Sequence, residues 1–90
     1  IINIVRTPIR PDETYGELQS RLSDLAAHQI REWMGPLVSG NYPRQVQSEA
    51  LATHAAKIDR PETELRFDGP AEAEYNRFRG VTPNPGAFLQ

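Results

Sequence analysis

Residues 14–40 read TYGELQSRLSDLAAHQIREWMGPLVSG, and this stretch decides what kind of fold the chain can have. Leu18, Leu22, Leu25, Ala26, Gln29, Ile30, Trp33, Met34, Leu37 and Val38 recur at helical spacing, while Glu17, Arg21, Asp24, His28, Arg31 and Glu32 fill most of the other positions. Such a pattern makes one apolar and one charged face, the mark of an amphipathic helix. Thr14 and Glu17 stand at the spacing of a capping box, in which hydroxyl and carboxylate satisfy backbone donors at a helix start, so the helix is expected to begin at about Tyr15. Gly35-Pro36 removes a backbone donor and crowds the preceding turn. The helix is therefore predicted to kink or restart there and to end at Ser39-Gly40.

On the N-terminal side, Ile1, Ile2, Ile4, Val5 and Ile9 are β-branched and suit a pleated, partly buried surface, until Pro8 and Pro11 stop the run. This predicts a strand ending near Thr7. Asp12 and Glu13 sit just before the helix start, where capping and complementation of the helix dipole explain them better than acid/base chemistry. A strand, a tight turn and a long helix make an α/β unit.

On the C-terminal side, residues 41–61 lack sustained periodicity, contain Pro43 and Pro61, and are rich in Gln, Ser, Ala and Thr, as in a connector laid over a surface. Leu65 and Phe67 alternate briefly. Asp68-Gly69-Pro70 offers a cap followed by a first-turn proline, and Ala71, Tyr75 and Phe78 share one helical face, predicting a short helix that ends near Arg79-Gly80. The prolines of Val81-Thr82-Pro83-Asn84-Pro85-Gly86-Ala87 forbid helix, and Phe88-Leu89-Gln90 reads as the opening of a strand whose partners lie elsewhere.

The composition narrows the function classes. Ninety residues suffice for one small core but are short for an enzyme with both a cofactor pocket and a macromolecular substrate, so the chain reads as part of a larger protein. No apolar run reaches the ~20 residues that cross a bilayer, and the N-terminus lacks the basic flank of a secretory signal, which predicts a soluble, cytoplasmic protein. Without cysteine there are no disulfides, thiolate metal sites or thiol nucleophiles. The net charge of −2 provides no general attraction for phosphate, so any RNA contact has to be local.

Few residues invite a chemical reading. His28 and His54 lie on different elements with no second histidine or cysteine at ligand spacing, so no metal site is expected. His28 reads as a flank residue of the long helix, and His54 as one that packs or hydrogen-bonds in the connector. Glu62, Glu64 and Asp68 lie among Arg60 and Arg66, where solvated ion pairs are the usual outcome. There is no Gly-rich phosphate loop and no serine-centred elbow. Lys57, Arg60, Arg77 and Arg79 are the basic residues available to a phosphate backbone, but acidic residues outnumber basic ones between Lys57 and Arg79.

The order of motifs carries more than any one of them. Pro8-Ile9-Arg10-Pro11 with Thr14, the leucine-rich helix, Ala52-Thr53-His54-Ala55-Ala56-Lys57-Ile58, and then Arg79-Gly80 with Val81-Thr82-Pro83-Asn84-Pro85-Gly86-Ala87 together resemble methionyl-tRNA formyltransferase over essentially the whole chain. The resemblance implies the end of a Rossmann-like formyltransferase domain over residues 1–41, an interdomain linker over 42–62, and the start of a C-terminal tRNA-binding domain over 63–90, where a short helix leads into an OB-like barrel.

It also implies transfer of a formyl group from 10-formyltetrahydrofolate to initiator methionyl-tRNA by a monomeric enzyme. The family's asparagine, histidine and aspartate constellation lies upstream of the matched stretch, so no catalytic or folate-binding residue is expected here. Lys57 falls where the family has a linker lysine near the tRNA, and Arg60 at a second basic position. Asn84 stands where many members have tryptophan, and His54 where tyrosine is common. Two alternatives are a segment of a folate-dependent formyltransferase acting on a nucleotide sugar, and a non-catalytic module docking through its helix.

Overall fold

The computed structural model describes residues 1–90 and contains two α-helices, α1 (Tyr15–Ser39) and α2 (Ala71–Val81), with short 3-10 turns at Glu49–Leu51 and Arg60–Thr63. The 25 residues of α1 form a rod of about 37 Å at the usual 1.5 Å rise. That rod sets the long dimension of a molecule measuring 55 × 29 × 21 Å.

The start of α1 follows the predicted chemistry. Thr14 Oγ1 accepts from the Glu17 backbone N–H at 3.4 Å, and the Glu17 carboxylate accepts from the Thr14 N–H at 2.9 Å, so two donors that a helix start leaves over are used reciprocally. At the other end Gly40 takes a left-handed conformation, φ 72°, and the Asn41 N–H reaches back to the Pro36 carbonyl at 3.1 Å. A side chain disfavours that conformation, which explains a glycine there. The helix does not restart at Gly35-Pro36: α1 runs through it. Pro36 lies in the last turn, where only the Glu32 carbonyl forfeits its i+4 donor, a small loss that the continuing cap contacts tolerate.

The predicted N-terminal strand does not form. Residues 1–14 carry no strand, because a strand requires a ladder and this segment has one reciprocal backbone pair, Ile1 N–H to Gln45 O at 2.8 Å and Gln45 N–H to Ile1 O at 2.7 Å. It runs instead along α1. Asn3 Nδ2 donates to Gln29 Oε1 at 2.6 Å, and Arg21 bonds Thr7 and the Pro8 carbonyl. The helix stripe on which these contacts lie, Leu18, Leu25, Trp33 and Leu37, is half-buried, whereas Leu22, Ile30, Met34 and Val38 on the adjoining rows are exposed.

The strand expected at Phe88 is likewise reduced to one parallel bridge with Glu64. The Leu65 N–H donates to Phe88 O at 2.9 Å and the Phe88 N–H to Thr63 O at 3.2 Å. Neither the Rossmann strand nor a barrel is therefore part of the observed fold. Residues 43–62 are exposed throughout and are not laid over a neighbouring surface.

The cap of α2 lies two positions later than expected. Pro70 occupies the cap position without a side-chain bond, so Asp68 does not cap, and Glu72 and Glu74 supply negative charge to the first turn. The buried Glu74 carboxylate accepts from the Arg66 N–H at 3.1 Å and meets Arg77 Nη1 at 3.2 Å, so its charge is matched. After α2, Gly86 at φ 86° returns its N–H to the Val81 carbonyl at 2.9 Å. Val81, 5% exposed, is the one buried hydrophobic residue, so polar contacts organise this chain more than a core does.

Candidate functional site

The most built part of the molecule lies where the turn before α1 meets α2. Glu13 is buried, and Arg21, two turns further along the helix, turns back to it: Nε donates to Oε1 at 2.7 Å and Nη2 to Oε2 at 2.8 Å. The Arg10 N–H adds a bond to Oε2 at 3.2 Å. A planar guanidinium matches both carboxylate oxygens at once, which a lysine cannot do. These bonds from Arg21, with the Arg10 N–H and the nearby positive charges, outweigh desolvation and hold the Glu13 pKa at about 2. The bonds from the Thr14 N–H and hydroxyl lower the pKa of Glu17 in the same way.

The α2 side contributes Arg79 and Tyr75, which stand one turn apart. Arg79 Nη1 donates to the carbonyls of Arg10 and Glu13, both at 3.2 Å, while its Nε is tied to Asn76 Oδ1 at 2.8 Å. Tyr75 Oη donates to Asp12 Oδ1 at 3.0 Å, and that bond, with partial burial and the Asp12 charge, raises the phenol pKa. Beside them the Gly16 N–H donates to the Thr82 carbonyl at 3.0 Å. Gly16 also lies so close to Pro83 that an added Cβ would stand 2.6 Å from Pro83 Cδ.

Asp12 and Glu13 thus take other roles than those expected of them: neither caps α1, because Thr14 and Glu17 already do; Asp12 is held by Tyr75, distant in sequence, and Glu13 by Arg21 on α1 itself. Arg79, offered by the sequence to a phosphate backbone, is engaged with two carbonyls. Periodicity could not reveal these pairs, since the partners of Asp12 and of Arg79 are set by how two helices meet and that of Glu13 by how the turn folds back on α1.

The two residues assigned to tRNA by resemblance lie apart from this joint in their contacts. Lys57 is exposed in the irregular segment. Arg60 holds its guanidinium 4.7 Å from the centroid of the Phe88 ring, a cation–π arrangement at the edge of a depression of about 260 Å³ that Ile58, Pro85 and Ala87 also line. His28 is exposed, as a flank residue should be. His54 is exposed too and makes no hydrogen bond, which corrects the expectation that it packs or bonds: the segment around it passes over no neighbouring surface. Asn84 is exposed. Glu64 pairs with Arg66 at 3.1 Å, the solvated type of ion pair expected.

No group of three or more histidine, cysteine, aspartate or glutamate side chains is placed to hold a metal ion. No helix is long and apolar enough to cross a membrane. The residues present do not fit a folate pocket. A depression of about 590 Å³ beside the start of α1 is lined by Arg10, Arg21, Asp12, Glu13, Glu17 and Asp24 among others and has no hydrophobic side chain in its lining, whereas a pteridine ring needs an apolar slot.

The chain matches a segment of methionyl-tRNA formyltransferase. It is 40% identical over 85 residues to the enzyme of that name from Allorhizobium ampelinum, covering 94% of this chain and 27% of the relative. Against the Chlamydia pneumoniae methionyl-tRNA formyltransferase it is 41% identical over 86 residues, with 96% and 27% covered. The corresponding protein of Moorella thermoacetica is 35% identical over 83 residues. The chain therefore spans about 27% of the length of the curated relatives it matches. No family model matches the chain, and no solved structure matches it. Two helices and extended connections are compatible with a fragment of a formyltransferase.

Proposed function

We propose that this chain serves within a methionyl-tRNA formyltransferase, which transfers a formyl group from 10-formyltetrahydrofolate to the amino group of methionyl initiator tRNA. The observation that carries the reading is similarity running along 94% of the chain at 40% identity. In this reading residues 1–41 close the Rossmann-like catalytic domain, with the exposed row of Leu22, Ile30 and Met34 directed to its sheet. Residues 42–62 form the interdomain linker, and residues 63–90 enter an OB-like tRNA-binding domain. The enzyme acts as a monomer in the cytoplasm.

The contribution of these residues is positional. Lys57, exposed in the linker, offers its charge to the tRNA backbone, and Arg60 does so while stacked on Phe88. Folate binding and the chemical step belong to residues outside this segment. The test is a formylation assay with 10-formyltetrahydrofolate and methionyl initiator tRNA on the full-length protein carrying this sequence. Formyl-methionyl-tRNA is the expected product; a full-length protein that binds the tRNA and folate but forms none would overturn the reading.

A further inference from the structure

We propose that Arg79 is a positioning residue: with Tyr75 it clamps α2 and the turn after it to the start of α1, fixing where the tRNA-facing part of the enzyme stands relative to the formyl-transferring part. The proposal rests on the reading of the chain as a formyltransferase segment.

Three bonds from α2 converge on one short turn. Arg79 Nη1 reaches the carbonyls of Arg10 and Glu13, 69 and 66 residues away in sequence, and Tyr75 Oη reaches Asp12, 63 residues away. The guanidinium is aimed by its own Nε bond to Asn76 Oδ1. The receiving turn is held from the other side, because the Glu13 side chain is fixed by Arg21. A cation set against two carbonyls makes two charge-assisted bonds, and a long planar side chain can do this from a neighbouring helix.

The connector cannot supply this orientation. Residues 43–62 are exposed throughout, and an irregular surface segment limits the distance between two parts far more than their angle. The Gly16–Pro83 approach and the Gly16 N–H bond to Thr82 are the second half of the same joint, where only a glycine leaves room.

The experiment uses the full-length protein with a recognition site for a sequence-specific protease inserted between Gln47 and Ser48. After cleavage, size-exclusion chromatography reads whether the two pieces stay together. The parent pieces are expected to co-elute and those of Arg79→Gln to separate; separation of the parent pieces, or co-elution in Arg79→Gln, would overturn the clamp. If Arg79→Gln fails to fold by circular dichroism, Gly16→Ala gives a second reading, since its added methyl wedges Pro83 without touching Arg79. Separated pieces again support the clamp and joined pieces overturn it.

In the uncut enzyme, Arg79→Gln is expected to lower kcat/KM for methionyl-tRNA by about ten- to a hundred-fold, the cost of a small misplacement. KM for 10-formyltetrahydrofolate should stay unchanged, and Arg79→Lys should recover part of the loss. An unchanged kcat/KM for the tRNA overturns the positioning role. Joined parent pieces from a protein that forms no formyl-methionyl-tRNA would overturn the formyltransferase reading and leave the clamp standing.

Discussion

Arg21 and Glu13, eight residues apart, are joined at two points, Nε to Oε1 at 2.7 Å and Nη2 to Oε2 at 2.8 Å, and this pair stands directly behind the turn on which α2 rests. Removing Arg21 leaves a buried carboxylate with the Arg10 N–H alone, the costly half of breaking a pair. Arg21→Met should therefore lower the melting temperature more than Glu13→Gln does, and Arg21→Met with Glu13→Gln should cost less than the two singles added. A double-mutant cycle by thermal denaturation of the full-length protein checks this; additive losses would mean the pair is not coupled.

The same carboxylate sets an acid limit. The pKa of Glu13 is lowered from 4.5 to about 2 in the folded protein, so its contribution to stability is complete above pH 4.5 and is lost as pH falls toward 2. Glu17, also lowered, acts in the same direction. Denaturation followed from pH 6 to pH 2 should show a drop in stability that Glu13→Gln reduces, and a profile unaltered by that substitution would contradict the assignment.

Tyr75 sets an alkaline limit of opposite sign. Its phenol pKa is raised above 10.0 by the bond to Asp12, so the bond is whole below that pH and is lost as pH rises through the folded value. The protection of amides at the α1–α2 joint, taken relative to their intrinsic hydroxide-catalysed exchange, should fall in that range, and Tyr75→Phe should remove that fall while showing less protection at every pH.

The two ends of α1 answer to different substitutions. Thr14→Ala removes the cap at the Glu17 N–H and is expected to destabilise by about 1 kcal/mol. At the far end Gly40→Ala places a side chain at φ 72° and is expected to cost about 1 kcal/mol. Urea denaturation of each full-length variant measures both, and a stabilised Gly40→Ala protein would show that the cap conformation is not required.

Lys57 and Arg60 are separable by salt. If each neutralises one phosphate, Lys57→Ala and Arg60→Ala should each reduce the slope of log K against log salt for tRNA binding by roughly 1. Arg60→Lys should keep the slope but loosen the Phe88 segment, whose ring the guanidinium covers at 4.7 Å. Binding titrations at several salt concentrations decide it; an unchanged slope in Lys57→Ala removes that residue from the interface.

What could be read from the residues was local. The helix start at Thr14 and Glu17, the stop at Gly40 and the second helix ending near Gly80 follow from caps and periodicity within a few residues of chain, and the irregular stretch after Asn41 follows from its prolines and small polar residues. The order of motifs pointed to the formyltransferase family as well. The strand expected over Ile1 to Thr7 failed on the same grounds: β-branched residues set a preference for extension, but a strand exists only when a ladder pairs it, and the partner is not a neighbour in sequence. Only the tertiary structure decided that Asp12 bonds Tyr75, that Glu13 holds Arg21, that Arg79 turns to backbone carbonyls, and that Gly16 makes room for Pro83. The Glu13–Arg21 pair depends on how the turn before α1 folds back on that helix, and the other three on where two distant helices meet, which local propensity does not encode and which charge, hydrogen bonding and close approach settle together.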